Sequence, residues 1–259
     1  MKRLNALIGT ALLFTGLPQD LCAETFSLAV ADNTIDTVVS EVIVKKAYSM
    51  LGHDAQIVRL PPKRALSMAN SGAHSGDVQR IFSIAETYPN LIRIEPPINF
   101  IQGTGFVRKP HNFKVASWAD LANYRVGIIL GIRFAETNVP KQNSISFHNY
   151  KDLAKALTAR EIDIGIYPLS NGIYQTLLIG EKDIVPLEPP LARFDLFHYV
   201  HRKNIRLVRG LQRIFTQFKQ DGTLARVRQR VLEISFKRAK KGLEPCFKDY
   251  ACYQSVWDK

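Results

Sequence analysis

FSLAVADNTIDTVVSEVIVKKAYSMLGHDAQIVRLPPKRALSMANSG, residues 26–72, is the stretch on which the fold turns. Residues 26–31 (FSLAVA) form a short β-type run, and 37–51 (TVVSEVIVKKAYSML) place apolar side chains at helical spacing before Gly52 stops them. Residues 56–60 (QIVRL) return to strand character. Pro61 and Pro62 then open a helix over 63–70 that Ser71-Gly72 closes, with proline at the start and glycine past the end. Strand, helix, strand, helix in this order predicts a largely parallel sheet covered by helices, with ligands beyond the carboxyl ends of the strands.

The middle of the chain repeats the alternation. A helical turn at 118–122 precedes a buried strand at 125–130 (RVGIIL), a short helix at 133–138 and an amphipathic helix at 150–160. A strand at 162–167 (IDIGIY), a helix at 170–180 and an extended piece at 184–187 follow. Two helices end the pattern. Val208, Leu211, Phe215 and Phe218 share a face of the first, and Leu224, Val227, Val231 and Ile234 share one of the second. Asp221-Gly222-Thr223 separates them with cap chemistry. Two long extended runs, 98–109 and 195–203, both end in basic residues and read as connections between two bodies. Two such crossings make a hinge. The expected lobes are 24–109 with 194–259, and 110–193 as a continuous insert.

A length of 259 residues allows one large domain or two small ones. With 46% hydrophobic and 22% charged residues the chain has globular composition, which excludes wholesale disorder and fibrous repeats. Thirty-five Lys and Arg against 23 Asp and Glu give +12, a balance that favours anionic surroundings. At the amino end, Lys2 and Arg3 precede an apolar stretch, 4–17, and Ala23 offers a small residue for cleavage. Residues 1–23 therefore read as a Sec-type signal peptide, since the stretch is shorter than the roughly 20 residues of a membrane span. Export leaves Cys246 and Cys252 as an even pair in an oxidising compartment, and a disulfide is expected. So short a loop adds only about 2 to 3 kcal/mol.

The residues offer little chemistry of the catalytic kind. GxSxG, HExxH, the phosphate loop GxxxxGK[ST] and a placed GxGxxG are all absent from the sequence, so no enzyme activity and no cofactor are expected. His198 and His201 lie in a strand-like segment where they point to opposite faces, which argues against a metal. The basic positions Arg226, Arg228, Arg230, Lys237, Arg238, Lys240 and Lys241 read as a solvated face or a contact with an anionic envelope. Nucleic acid is not expected, because no stacking aromatics are interleaved with them.

A further set of landmarks runs through nearly the whole mature chain. It comprises Asp32-Asn33 after the first strand, Arg64-Ala65-Leu66 leading to Asn70-Ser71-Gly72, Gly76-Asp77 with Arg80, and Gly105-Phe106-Val107-Arg108-Lys109. Ser117-Trp118-Ala119-Asp120-Leu121 before Arg125-Val126-Gly127, then Glu161-Ile162-Asp163-Ile164-Gly165-Ile166, and Asp221-Gly222-Thr223 complete it. In order and spacing this resembles the bacterial extracellular solute-binding proteins of family 3, the amino-acid-binding type of ABC importers. The resemblance implies an α/β, two-lobed periplasmic-binding-protein-like fold of type II, each lobe a mostly parallel sheet covered by helices, joined by two hinge crossings. It implies a monomer in the periplasm that captures a small polar, anionic or amino-acid-like solute for a membrane permease. A sensor partnering a membrane receptor and a dehydratase-like enzyme are the alternatives.

The resemblance also assigns residues. It implies that Arg80 clamps a ligand carboxylate, helped by backbone N–H groups after Gly131. The acid that holds an α-ammonium in the family is replaced here by Tyr167 and Pro168, and the small hydroxyl residue after the glycine by Ile132-Arg133. Arg133 thus favours an anion without an ammonium group. Asp32 joins the expected ligand set. Arg64 does too, as a cation at a helix start, where the dipole disfavours it. Phe100 and Tyr167 are aromatic residues that could stack on a ligand. Arg80→Ala is expected to abolish binding with the fold intact, on the premise that the side chain is exposed.

Overall fold

The computed structural model describes residues 23–32, 34–247 and 250–258; the expected leader lies outside this range except for Ala23. Ten strands are described: β1 (Thr25–Ala31), β2 (Asp54–Leu60), β3 (Gly76–Ile81), β4 (Leu91–Arg93), β5 (Asn99–Arg108), β6 (Val126–Ile129), β7 (Ser144–Phe147), β8 (Ile164–Pro168), β9 (Ile184–Pro186) and β10 (Ala192–His201). The helices are α1 (Ile35–Met50), α2 (Pro62–Ser71), α3 (Ile84–Thr87), α4 (Arg133–Asn138), α5 (Tyr150–Thr158), α6 (Leu169–Leu178), α7 (Val208–Gln220) and α8 (Thr223–Ala239).

The strands lie in the order β2-β1-β3-β10-β5-β8-β6-β7, with β4 beside β10 and β9 beside β5. Pairing is parallel within β2-β1-β3 and within β8-β6-β7. It is antiparallel wherever β5 or β10 takes part. β5 pairs with β10 through its first half and with β8 and β9 through its second. β10 pairs with β5 through its first half and then with β3 and β4. These two strands are the long extended runs of the sequence, and they join two parallel sheets into one curled mixed sheet.

Burial follows from this layering. Every residue of β6 and β8 is buried, as expected for parallel strands covered on both faces. α1 is enclosed nearly all round, from Ile35 to Tyr48, by β2, β3, β5, α6, α7 and α8. A separate apolar cluster around Leu121, Val126, Phe134 and Ile164 fills the other half.

Strands β3, β4 and β7 and helix α3 went unpredicted. β3 reads Gly-Asp-Val-Gln-Arg-Ile, and with Asp77 and Arg80 turned inward as a pair it has no apolar run to betray it. Residues 202–207 form 3-10 turns, so α7 starts at Val208.

Cys246 and Cys252 are disulfide-bonded, with Cα atoms 6.0 Å apart. The 3-10 segment Ala251–Trp257 buries Tyr253 and Val256 against the core. Just before it, the Tyr250 hydroxyl donates to Glu41 Oε2 at 2.7 Å. Among the described residues no helix is long and apolar enough to cross a membrane.

Candidate functional site

A narrow cleft of about 70 Å³ opens where the carboxyl ends of both parallel sheets meet. Ala31, Gln79, Arg80 and Ile81 come from the ends of β1 and β3, and Gly131 and Pro168 from the ends of β6 and β8. Ile101 of β5 and Leu196 of β10 supply apolar wall between them, as do Ile84, Ile132 and Phe134. This is where doubly wound sheets bind ligands, because strand ends there carry short, exchangeable loops.

The two sides touch. Gly131 has φ +84°, a left-handed conformation that glycine adopts freely, and the place of its absent Cβ lies 3.2 Å from Lys63 N and from Pro62 Cβ. The loop after β6 therefore meets the start of α2 across the cleft. Gly131 N–H donates to Glu136 Oε1 at 2.6 Å, and of the donors after it that were expected to receive a ligand, the Ile132 N–H is given to the Ile129 carbonyl at 3.1 Å.

Arg80 lines this cleft but is only 8% exposed, which corrects the premise of an exposed side chain. Its Nε donates to Asp77 Oδ2 at 2.8 Å, Nη2 lies 2.8 Å from the same oxygen, and Nη2 also donates to the Pro62 carbonyl at 3.3 Å. Asp77 is fully buried, and desolvation raises its pKa against the pull of the Arg80 charge. Nη1 of Arg80 has no hydrogen-bond partner among the described residues.

Three of the expected ligand residues thus come together: Arg80, Gly131 and Arg133. Arg133 is half exposed, with Glu136 3.9 Å away. The others line no part of the cleft. Arg64 is exposed on α2. Asp32 donates its backbone N–H to the Leu60 carbonyl at 2.9 Å. Tyr167 is buried, stacked on Tyr150 and edge-on to Phe106. Phe100 lies between the guanidinium groups of Arg193 and Arg228, 3.7 and 4.2 Å from its ring centre.

Sequence reasoning missed the other end of the cleft. Asp36, in the first turn of α1, lines the cleft at 1% exposure. Burial pushes its pKa up to about 6, although the Arg228 charge works the other way. Arg228, placed by its sequence on a solvated face, turns inward instead. Its Nη1 donates to Asn99 Oδ1 at 2.9 Å and its Nη2 to Ser170 Oγ at 3.1 Å, and Nη1 stands 3.5 Å from Asp36 Oδ1. Among the described residues neither Asp36 oxygen has a partner at hydrogen-bond geometry, although Arg228 and Ser170 stand near enough to pull its pKa down, and the buried hydroxyl of Tyr150, which lines the same cleft, has no partner either. The available signal was an acid between Ile35 and a run of buried apolar residues, a position where an unpaired carboxylate is costly.

No family model matches the chain. A relative from Shewanella oneidensis, an uncharacterized protein, is 32% identical over 202 residues, spanning 73% of this chain and 74% of that one. Among solved structures, the GluR0 ligand-binding core in complex with L-glutamate superposes with TM-score 0.70 at 12% identity, covering 82% of this chain and 99% of that one. An amino acid ABC transporter substrate-binding protein, AbpA from Streptococcus pneumoniae, bound to L-arginine, gives 0.67 at 15% identity, covering 83% and 95%. A histidine kinase sensor domain with similarity to periplasmic binding proteins gives 0.66 at 14% identity, covering 80% and 96%. The chain belongs to one family with the Shewanella oneidensis protein, and it carries the two-lobed periplasmic-binding-protein-like fold.

Proposed function

We propose that the chain is a periplasmic solute-binding protein, a divergent member of the family 3 type, that captures a small amino-acid-like solute and delivers it to an ABC-type importer. The observation that carries this reading is the cleft walled from both parallel sheets, with Gly131 seated on Pro62 and Lys63. Each cleft arginine has an acid beside it, Asp77 for Arg80 and Glu136 for Arg133, which favours a solute of balanced charge over a plain anion. On this reading the lobes are 24–109 with 194–259 and 110–193, the crossings at 98–109 and 195–203 hinge them, and residues 1–23 direct export. The protein acts as a monomer, by binding and release without turnover.

The test is a thermal-shift screen of the purified chain against amino acids, organic acids and short peptides. One class should raise the melting temperature by mass action. No shift from any compound overturns the reading. The shared fold with a histidine kinase sensor domain supports a second reading, in which the loaded protein is presented to a membrane receptor. Crosslinking of the loaded chain in intact cells separates the two, trapping a permease in one case and a receptor in the other.

A further inference from the structure

We infer that the Asp36 carboxylate, together with the Tyr150 hydroxyl, is the receptor for a protonated amine on the solute. This rests on the solute-binding reading above and deepens it. A buried ionised carboxylate offers about four acceptor sites and is costly when they stay empty. Arg228, the cation beside it, gives its hydrogen bonds to Asn99 and Ser170 and stands 3.5 Å from Oδ1, so it and Ser170 lie close by while neither oxygen receives a well-formed hydrogen bond from the described residues. Tyr150 reaches the cleft from α5 in the other half of the sheet, and its hydroxyl has no partner among the described residues.

Two acceptors, held by opposite sides and lacking donors, fit a group with several N–H bonds. An ammonium group has three. A carboxylate or phosphate has none to give, and would face the Asp36 charge. The wall on either side is apolar, from Ile81, Ile84, Ile101, Ile132, Phe134 and Leu196. At another point of the lining stands Arg80, whose Nη1 has no hydrogen-bond partner among the described residues. The class that matches all three features is a small zwitterion with an apolar body. Its amine goes to Asp36 and Tyr150, its carboxylate to Arg80. The position after β8, where Tyr167 is packed away on Phe106 and Tyr150, takes no part.

The experiment titrates the full chain by calorimetry with the standard amino acids, with the matching des-amino acids such as 4-methylpentanoate and 3-phenylpropanoate, and with the matching decarboxylated amines. An apolar amino acid should bind at least about tenfold more tightly than its des-amino partner, the scale of losing a charged hydrogen bond. Tyr150→Phe removes a hydroxyl that holds nothing in the protein. It should weaken the amino acid by several-fold while leaving the melting temperature of the unliganded chain unchanged. Asp36→Asn should weaken it more; where that variant fails to fold, Tyr150→Phe decides. Equal binding of the des-amino acid, or wild-type affinity in Tyr150→Phe, overturns the amine receptor and leaves solute binding standing. No binding by any compound overturns both.

Discussion

Arg80 and Asp36 show what single residues settle here. Arg80 is buried against Asp77, whose ion pair among the described residues is with Arg80 and whose nearest other titrating neighbour is His74, so removal of Arg80 strands a carboxylate in the interior. Breaking such a pair from one side costs about 3 to 5 kcal/mol. Arg80→Ala is therefore expected to unfold at markedly lower urea, and Asp77→Ala in the same chain should restore part of the loss; additive effects in that cycle would show the two are uncoupled. The arginine was legible as a site residue because Gly76-Asp77 and a carboxylate-matching side chain sit at a strand end. Its pairing was not, since residues three apart in a strand point to opposite faces on an ideal pleat. Asp36 and Arg228 were illegible for a similar reason: nothing in α1 or α8 alone reveals that the other helix lies against it.

His198 carries a residue effect into its strand. It is fully buried in β10, with Nδ1 near the Val78 carbonyl at 3.3 Å and Nε2 3.2 Å from the Tyr48 hydroxyl. Burial pushes its pKa down to about 4, with the Val78 carbonyl opposing only in part. The unfolded chain then binds the extra proton first, so stability falls as pH drops from about 6.5 towards 4. The full effect is on the order of 3 kcal/mol. Asp36 works the other way, because its raised pKa makes the fold lose stability as pH rises from about 4 to about 6. Melting curves of the wild type and His198→Asn across pH 4 to 7 separate the two: the difference between them should shrink as pH falls. A constant difference would exclude a titrating His198.

The turn after β6 belongs to the same scale. Gly131→Ala places a Cβ 3.2 Å from Lys63 N and Pro62 Cβ, and asks a side-chain-bearing residue to hold φ near +84°. The left-handed backbone costs about 1 to 2 kcal/mol in any state of the cleft; if the lobes hinge as proposed above, the contact adds to that cost only when the cleft is shut. Solute affinity should therefore fall by more than the unliganded melting temperature predicts, which calorimetry and melting together measure. Wild-type affinity in a destabilised variant would mean the loop does not close on α2.

For the whole molecule, the carboxyl-terminal tail is a cover and the disulfide pins it. Tyr253 and Val256 are buried with α8, and Tyr250 reaches Glu41 beneath them. Reducing Cys246–Cys252 should lower stability by only about 2 to 3 kcal/mol, the entropy of so short a loop, with one cooperative transition retained. Denaturation with and without reductant measures this; loss of cooperativity would show that the bond holds the fold together.

The alternation of 26–72, the twin unit in the middle and the two long crossings were fixed by local pattern, because period and punctuation act within a dozen residues. So was the pairing of Cys246 with Cys252, which lie six apart. Which charges face the cleft, and which are already answered, was decided only in three dimensions. Arg80 meets Asp77, Gly131 meets Glu136 and Arg228 turns to Asp36, while the Asp36 oxygens and the Tyr150 hydroxyl have no well-formed hydrogen bond among the described residues. A charge's partner is chosen by distance and burial between elements far apart in the chain, and the free energy of an unpaired polar group exists only once water has been excluded from it.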